Sequence, residues 1–180
     1  MVCFAKHAII SSKMTSLRYT MQFFLLTSYT VVKYGAKISI HLTKKVFNLQ
    51  NRALHIISFA DFRARSNPLY INFKILKLSH QIFLQNCLFV HDTLKKVSPL
   101  CFHNYFSQAK HIHSLATKSA NLGCLHVLPS NTVRYGLNSV ISKCISDWND
   151  TTKLLRVDLT SLSREKLKFC IKSRFIQSYS

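Results

Sequence analysis

Acidic residues are nearly missing from this chain. Of 180 residues only 6 are Asp or Glu, and none precedes Asp61. Chemistry that needs clustered carboxylates, such as two-metal phosphoryl transfer, has no material in the first sixty residues. Asp147 and Asp150 stand three apart near a helix end and read as solvated partners for nearby lysines. Glycine is as scarce: Gly35, Gly123 and Gly136 are all there is, which excludes a glycine-rich phosphate loop. Proline also numbers 3. All-β domains use more of both residues in their turns, so the composition leans helical. No GxSxG turn accompanies the serines and histidines, so a hydrolytic triad has no anchor. No CxxC pair occurs among the 6 cysteines. Cys3, Cys87, Cys101, Cys124, Cys144 and Cys170 are widely spread and read as reduced, mostly buried thiols of an intracellular protein, nuclear or cytoplasmic.

What the chain does hold is positive charge. Lys and Arg number 25, for a net charge of +19. Such a chain repels itself and attracts polyanions, nucleic acid first and an anionic membrane surface second. Basic residues recur along its length, interleaved with Tyr and Phe that could stack on unpaired bases, although most of these aromatics are expected in the core. No RNP or KH motif accompanies them. Phosphate contact without sequence readout is what this pattern supports. The uncharged run Tyr19 to Val32 is 14 residues long, short of the ~20 that cross a bilayer. It reads as a buried helix, with no membrane span.

Periodicity gives the elements. Residues 1–13 read as a loose N-terminus, and 14–180 as a single helical domain. Residues 15–32 form one helix, ended near Gly35. Over 41–58, capped by Ser39, the positions Val46, Leu49, Ala53, Ile56 and Ile57 share a face and predict the buried stripe. Ser79 caps a helix from His80 to Lys96 with Ile82, Phe83, Phe89 and Val90 inside, and Pro99 closes that region. Residues 107–133 read as a long loop with a short strand pair as an option. Leu137, Val140, Ile141, Cys144, Ile145 and Trp148 fall on one stripe. Residues 162–177 form the last helix, with Leu167, Cys170, Ile171 and Phe175 inward. The fold class expected is mostly α, an irregular bundle of about five helices.

Two short stretches invite sharper readings. Cys101, His103, His111 and His113 make a loose Cys/His cluster, but the paired spacing of zinc ligands is missing. Phe59-Ala60-Asp61-Phe62 sits one residue short of the aromatic-Ala-Asp-Asp turn of RNA-copying polymerases. Asp61 has no second carboxylate beside it. It reads as the end of a helix, or as a partner for Arg63 or Arg65 in a turn before Pro68.

The blocks in order carry more. Leu49-Gln50-Asn51-Arg52-Ala53-Leu54-His55-Ile56-Ile57 resembles the LQxRALRII block of jockey-like, non-LTR (LINE-type) retrotransposon reverse transcriptases. That block lies downstream of the polymerase domain. Tyr34-Gly35 precedes it as in the family, without the family's Trp-Gly. Residues 68–78 are similar to the family's PL…L.IL.L stretch, and Leu100 to Phe106 to its LP..F..YF. His113 to Lys118 resembles H.Y.TR, with Lys118 in place of Arg. Tyr135 to Asn149 resembles G..SI…..WN.L, and Leu167-Lys168 with Ile171-Lys172 resembles the closing FK..LK helix. The resemblance covers roughly residues 17–178.

It implies a non-catalytic C-terminal segment of an RNA-directed DNA polymerase, with no cofactor, metal or small-molecule substrate of its own. The expected partners are RNA or DNA backbone and the remainder of the reverse transcriptase. Arg52, Lys74, Lys118, Arg134, Lys168 and Lys172 are the expected phosphate contacts. The altered N-terminus and the missing Trp-Gly suggest truncation or decay. Competing readings are a free-standing basic helical interaction module and a decayed-element product with no selected function.

Overall fold

A computed structural model describes residues 40–61, 63–112, 122–127 and 139–180. The expected helix over 15–32, its stop at Gly35 and the Ser39 cap lie outside them. The described residues form five α-helices: α1 (Ile40–Ser58), α2 (Asn67–Asn72), α3 (Leu78–Leu94), α4 (Val140–Leu155) and α5 (Arg164–Gln177). Among the described residues there is no strand. Within the described part of the long loop there is an antiparallel bridge, Gln108 to Leu125. Ala109 N–H donates to Cys124 O and His126 N–H to Ser107 O, both at 2.9 Å. The chain is mostly helical, as its composition predicts. No described helix is long and apolar enough to cross a membrane.

The chain divides into two compact units, Met1–Gln81 with Phe175–Ser180, and Ile82–Arg174. In the first, Leu54, Tyr70, Leu76, Leu78 and Tyr179 are buried. Pro68 sits in the first turn of α2, where its missing N–H costs nothing. The face of α1 differs from the expected stripe. Leu49 and Ile56 are 52% and 69% exposed, whereas Leu54 is fully buried. Polar bonds decide the rotation. Gln50 Nε2 donates to Leu76 O at 2.9 Å, and its Oε1 accepts from Leu78 N at 3.0 Å. Tyr70 OH donates to Asn51 Oδ1 at 2.7 Å. The inward seam therefore runs through Gln50 and Leu54, one position round from the apolar stripe. Hydropathy alone does not register an amide that faces inward.

Tyr179 closes the same unit. Its hydroxyl accepts from Lys77 N at 3.1 Å and meets His80 Nδ1 at 2.7 Å. His80 stacks on Phe175, centroids 4.1 Å apart. Burial, and secondarily the Lys77 charge, hold the His80 imidazole below its ordinary range. The neutral ring thus accepts the phenol proton at Nδ1.

In the second unit, α3 buries Leu84, Cys87, Leu88 and Val90, with Asn86, His91 and Thr93 also inside. Of the four residues expected inward, only Val90 is buried; Ile82, Phe83 and Phe89 are half-buried. The helix is enclosed over most of its circumference, so no single stripe marks its face. It also starts earlier than expected, leaving Ser79 exposed inside the helix instead of at its cap. On α4, Cys144, Ile145 and Trp148 are buried as predicted; Leu137 lies outside the described residues. Ser139 caps this helix, its Oγ accepting from Ser142 N at 3.1 Å. On α5, Leu167 and Ile171 are buried, while Cys170 and Phe175 are half-buried.

Helix ends show how the chain does without glycine. Phe59, Lys74, Lys96 and Arg156 all adopt positive φ, between 52° and 58°. After Phe59, Lys74 and Lys96 the next N–H reaches five residues back: Ala60 to His55 O, Ile75 to Tyr70 O and Val97 to Asp92 O. These are Schellman stops, in which glycine is the usual left-handed residue. Arg156 uses the simpler form, bonding Thr152 O at 2.9 Å.

Candidate nucleic-acid interface

The six carboxylates all lie in described residues, and most are engaged locally. Asp61 Oδ1 accepts from Arg63 N at 2.9 Å, making a turn through the backbone and not through a guanidinium. Asp92 receives Arg164 Nε at 3.1 and 3.2 Å. Asp158 Oδ1 accepts from Thr160 N and Oγ1 at 2.9 and 2.7 Å. Glu165 stands 3.8 Å from Arg164 and 3.9 Å from Lys168.

Asp147 corrects the sequence expectation. It is 1% exposed, not solvated, although it does pair with a lysine, Lys143, at 2.7 Å. Asn86 Nδ2 also donates to it at 2.7 Å. Burial raises the Asp147 carboxyl above its ordinary range, against the lowering effect of Lys143 and Asn86. A threonine and a cysteine follow on from it. Thr151 Oγ1 donates to Asp147 O, and Cys87 Sγ lies 3.3 Å from Thr151 Oγ1.

With the acids so engaged, the cations set the surface. Residues 40–81 carry Lys44, Lys45, Arg52, Arg63, Arg65, Lys74 and Lys77 against Asp61 alone. Arg52 is exposed on α1, and Lys74 is exposed at the left-handed stop after α2. That position also suits a cation for a structural reason, since the helix C-terminus is negative. Lys77 is held elsewhere: its Nζ lies 4.5 Å from the Tyr179 ring centroid and 5.9 Å from that of Tyr70. In the other unit Lys168 is exposed and Lys172 half-exposed, one turn apart on α5. Lys118 and Arg134 lie outside the described residues. The structure thus leaves Arg52, Lys74, Lys168 and Lys172 accessible to solvent, two in each unit.

The Cys/His reading can be placed in part. Cys101 is exposed, His103 Nε2 lies 2.7 Å from Ser98 O, and His113 is outside the described residues. Among the described residues no group of three or more His, Cys, Asp or Glu side chains gathers as metal ligands do.

The family-like blocks fall on structural positions that sequence reasoning did not assign. Gln50 and Asn51 fasten α1 to its neighbours, as described. His55 Nδ1 and Nε2 meet Asp61 O at 2.9 Å and Ser66 Oγ at 3.0 Å. In the Trp148-Asn149 pair, Trp148 Nε1 donates to Gly123 O at 3.2 Å. Asn149 grips both backbone groups of one residue: Leu125 N donates to its Oδ1 at 2.7 Å, and its Nδ2 donates to Leu125 O at 3.0 Å. Gly123 suits this place. Its φ is +74°, and a Cβ would collide with the Asp158 carboxyl, so any side chain here would be strained and would displace that carboxyl.

Compared with family models, with curated proteins and with solved structures, the chain matches none of them.

Proposed function

We propose that this chain is the non-catalytic, post-polymerase region of a LINE-type reverse transcriptase, and that it holds RNA or DNA by the backbone without reading sequence. The ordered sequence blocks support the family. The charge supports the activity: residues 40–81 carry exposed cations against one carboxylate, and that carboxylate is engaged in a turn. This one-sided surface is the observation that carries the reading. Arg52, Lys74, Lys168 and Lys172 are the proposed phosphate contacts, with Lys118 and Arg134.

The test is binding of single-stranded RNA at a series of salt concentrations, read by fluorescence anisotropy. Each phosphate neutralised contributes about −0.7 to the slope of log affinity against log salt. Arg52→Gln with Lys74→Gln should weaken binding to all sequences alike and flatten the slope by roughly 1. A salt-independent affinity would sink the reading, and so would a strong preference for one sequence.

A further inference from the structure

The proposed phosphate contacts stand among exposed apolar side chains. On α1, Arg52 lies between Leu49, three positions before it, and Ile56, four after, and all three are exposed. Lys45, also exposed, lies one turn before Leu49. At this spacing Lys45, Leu49, Arg52 and Ile56 make one row along the helix, on the side opposite the buried Leu54. Phe59 follows where the helix stops, 70% exposed. Cations and large apolar groups thus alternate on the outer side of α1.

On α5 the combination returns. Phe169 is 71% exposed, on the side away from the buried Leu167 and Ile171. Lys166 and Lys172 stand three positions to either side of it, and neither pairs with a carboxylate among the described residues. Of the phenylalanines in the described residues only Phe59 and Phe169 are exposed. One lies beyond Arg52, the other between Lys168 and Lys172.

Single exposed apolar residues are ordinary, whereas a row of them marks a contact surface. A duplex presents its phosphates outward and keeps its bases stacked inside, so beside it these side chains would stay in water. A single strand offers both partners, phosphates for the cations and unstacked base faces for the apolar and aromatic groups. A helix lying on a membrane surface keeps its cations apart from its apolar face; on α1 they share a row.

We propose that the chain takes single-stranded nucleic acid with its bases turned inward. Phe59 and Phe169 each stack on a base, and Leu49 and Ile56 lie against base faces on either side of the Arg52 phosphate contact. The proposal rests on the backbone-binding reading above and adds to it the kind of strand and the part of the strand that is touched.

Three ligands of equal length test it on the full chain by anisotropy: oligothymidylate, an abasic deoxyribose-phosphate strand, and the duplex of oligothymidylate with oligoadenylate. Oligothymidylate should bind roughly fivefold or more tightly than either of the others, the worth of at least one stacked base. Phe59→Ala with Phe169→Ala should weaken oligothymidylate by a similar factor, leave the abasic strand unchanged and leave the slope against salt unaltered, because no phosphate contact is lost. Phe59→Trp with Phe169→Trp should keep the affinity. Circular dichroism and urea midpoints check that each variant keeps its fold. Absence of salt-dependent binding to any of the three removes the backbone reading and this one with it. Salt-dependent binding that is equal for oligothymidylate and the abasic strand overturns the base contacts alone, as does equal binding of the duplex. If vesicles of anionic phospholipid displace oligothymidylate and the double alanine variant no longer binds them, the apolar row is a membrane contact and the proposal falls.

Discussion

Cys87 and Cys144 show what burial does to a single group. Both thiols are pushed up to about 12 by loss of solvent. At neutral pH neither offers the thiolate that reacts. Cys101 is exposed on the same unit. A thiol reagent added to the native chain should therefore label Cys101 well before Cys87 or Cys144, which should react only on unfolding; mass spectrometry of timed samples gives the order. Early labelling of Cys87 or Cys144 would show that the α3 and α4 side chains around Thr151 are not packed as described. His80 makes the pH argument. Its folded-state pKa is lowered from 6.5, first by burial and then by Lys77, so below that pH the unfolded chain binds more protons. The contribution of neutral His80 is complete above about pH 6.5 and is lost as the pH falls through the folded value. Urea midpoints should fall between about pH 7.5 and 5.5, and His80→Gln should flatten that fall. An unchanged pH dependence in the variant would remove His80 from the account.

At the scale of the element, glycine scarcity has an energetic reading. A non-glycine residue in the left-handed region carries roughly 1 kcal/mol of strain. Lys96→Gly relieves it, less the added freedom of glycine in the unfolded chain. The expected outcome is a gain of about 0.5–1 kcal/mol, measured by thermal and urea denaturation, and a loss of stability would contradict it. Helices themselves were legible in the sequence where an apolar stripe and a breaker coincided. The extents of α1 and α5 follow from periodicity, and the core of α4 from the spacing of Cys144, Ile145 and Trp148. The last turns of α4 were not legible, because Asp147, Thr151 and Thr152 look like surface residues. They are buried since each has a partner: Lys143 and Asn86 for Asp147, and main-chain oxygens one turn back for the threonines. The same blind spot turned α1 by one position. The exposed Arg52, Lys74 and Lys168, by contrast, were visible as charges outside any stripe.

For the whole molecule, net charge governs the response to solvent. At +19 the folded chain repels itself, and few described ion pairs oppose that repulsion. Added salt screens it over a Debye length that shrinks from about 30 Å at 0.01 M to about 8 Å at 0.15 M. The melting temperature should rise with sodium chloride over that range and then level off. A fall would mean that ion pairs such as Arg164–Asp92 outweigh the repulsion. A uniform charge of this size was plain from composition, and so was the mostly helical class.

Asn149 gives the loop that carries Leu125 a particular mode of failure. The carboxamide serves both backbone groups of that residue because it is donor and acceptor at once. Deamidation, the ordinary chemical ageing of asparagine, would leave oxygen where Nδ2 now meets Leu125 O. The clip would become a repulsion. Time, acting on one nitrogen, would open this contact for good.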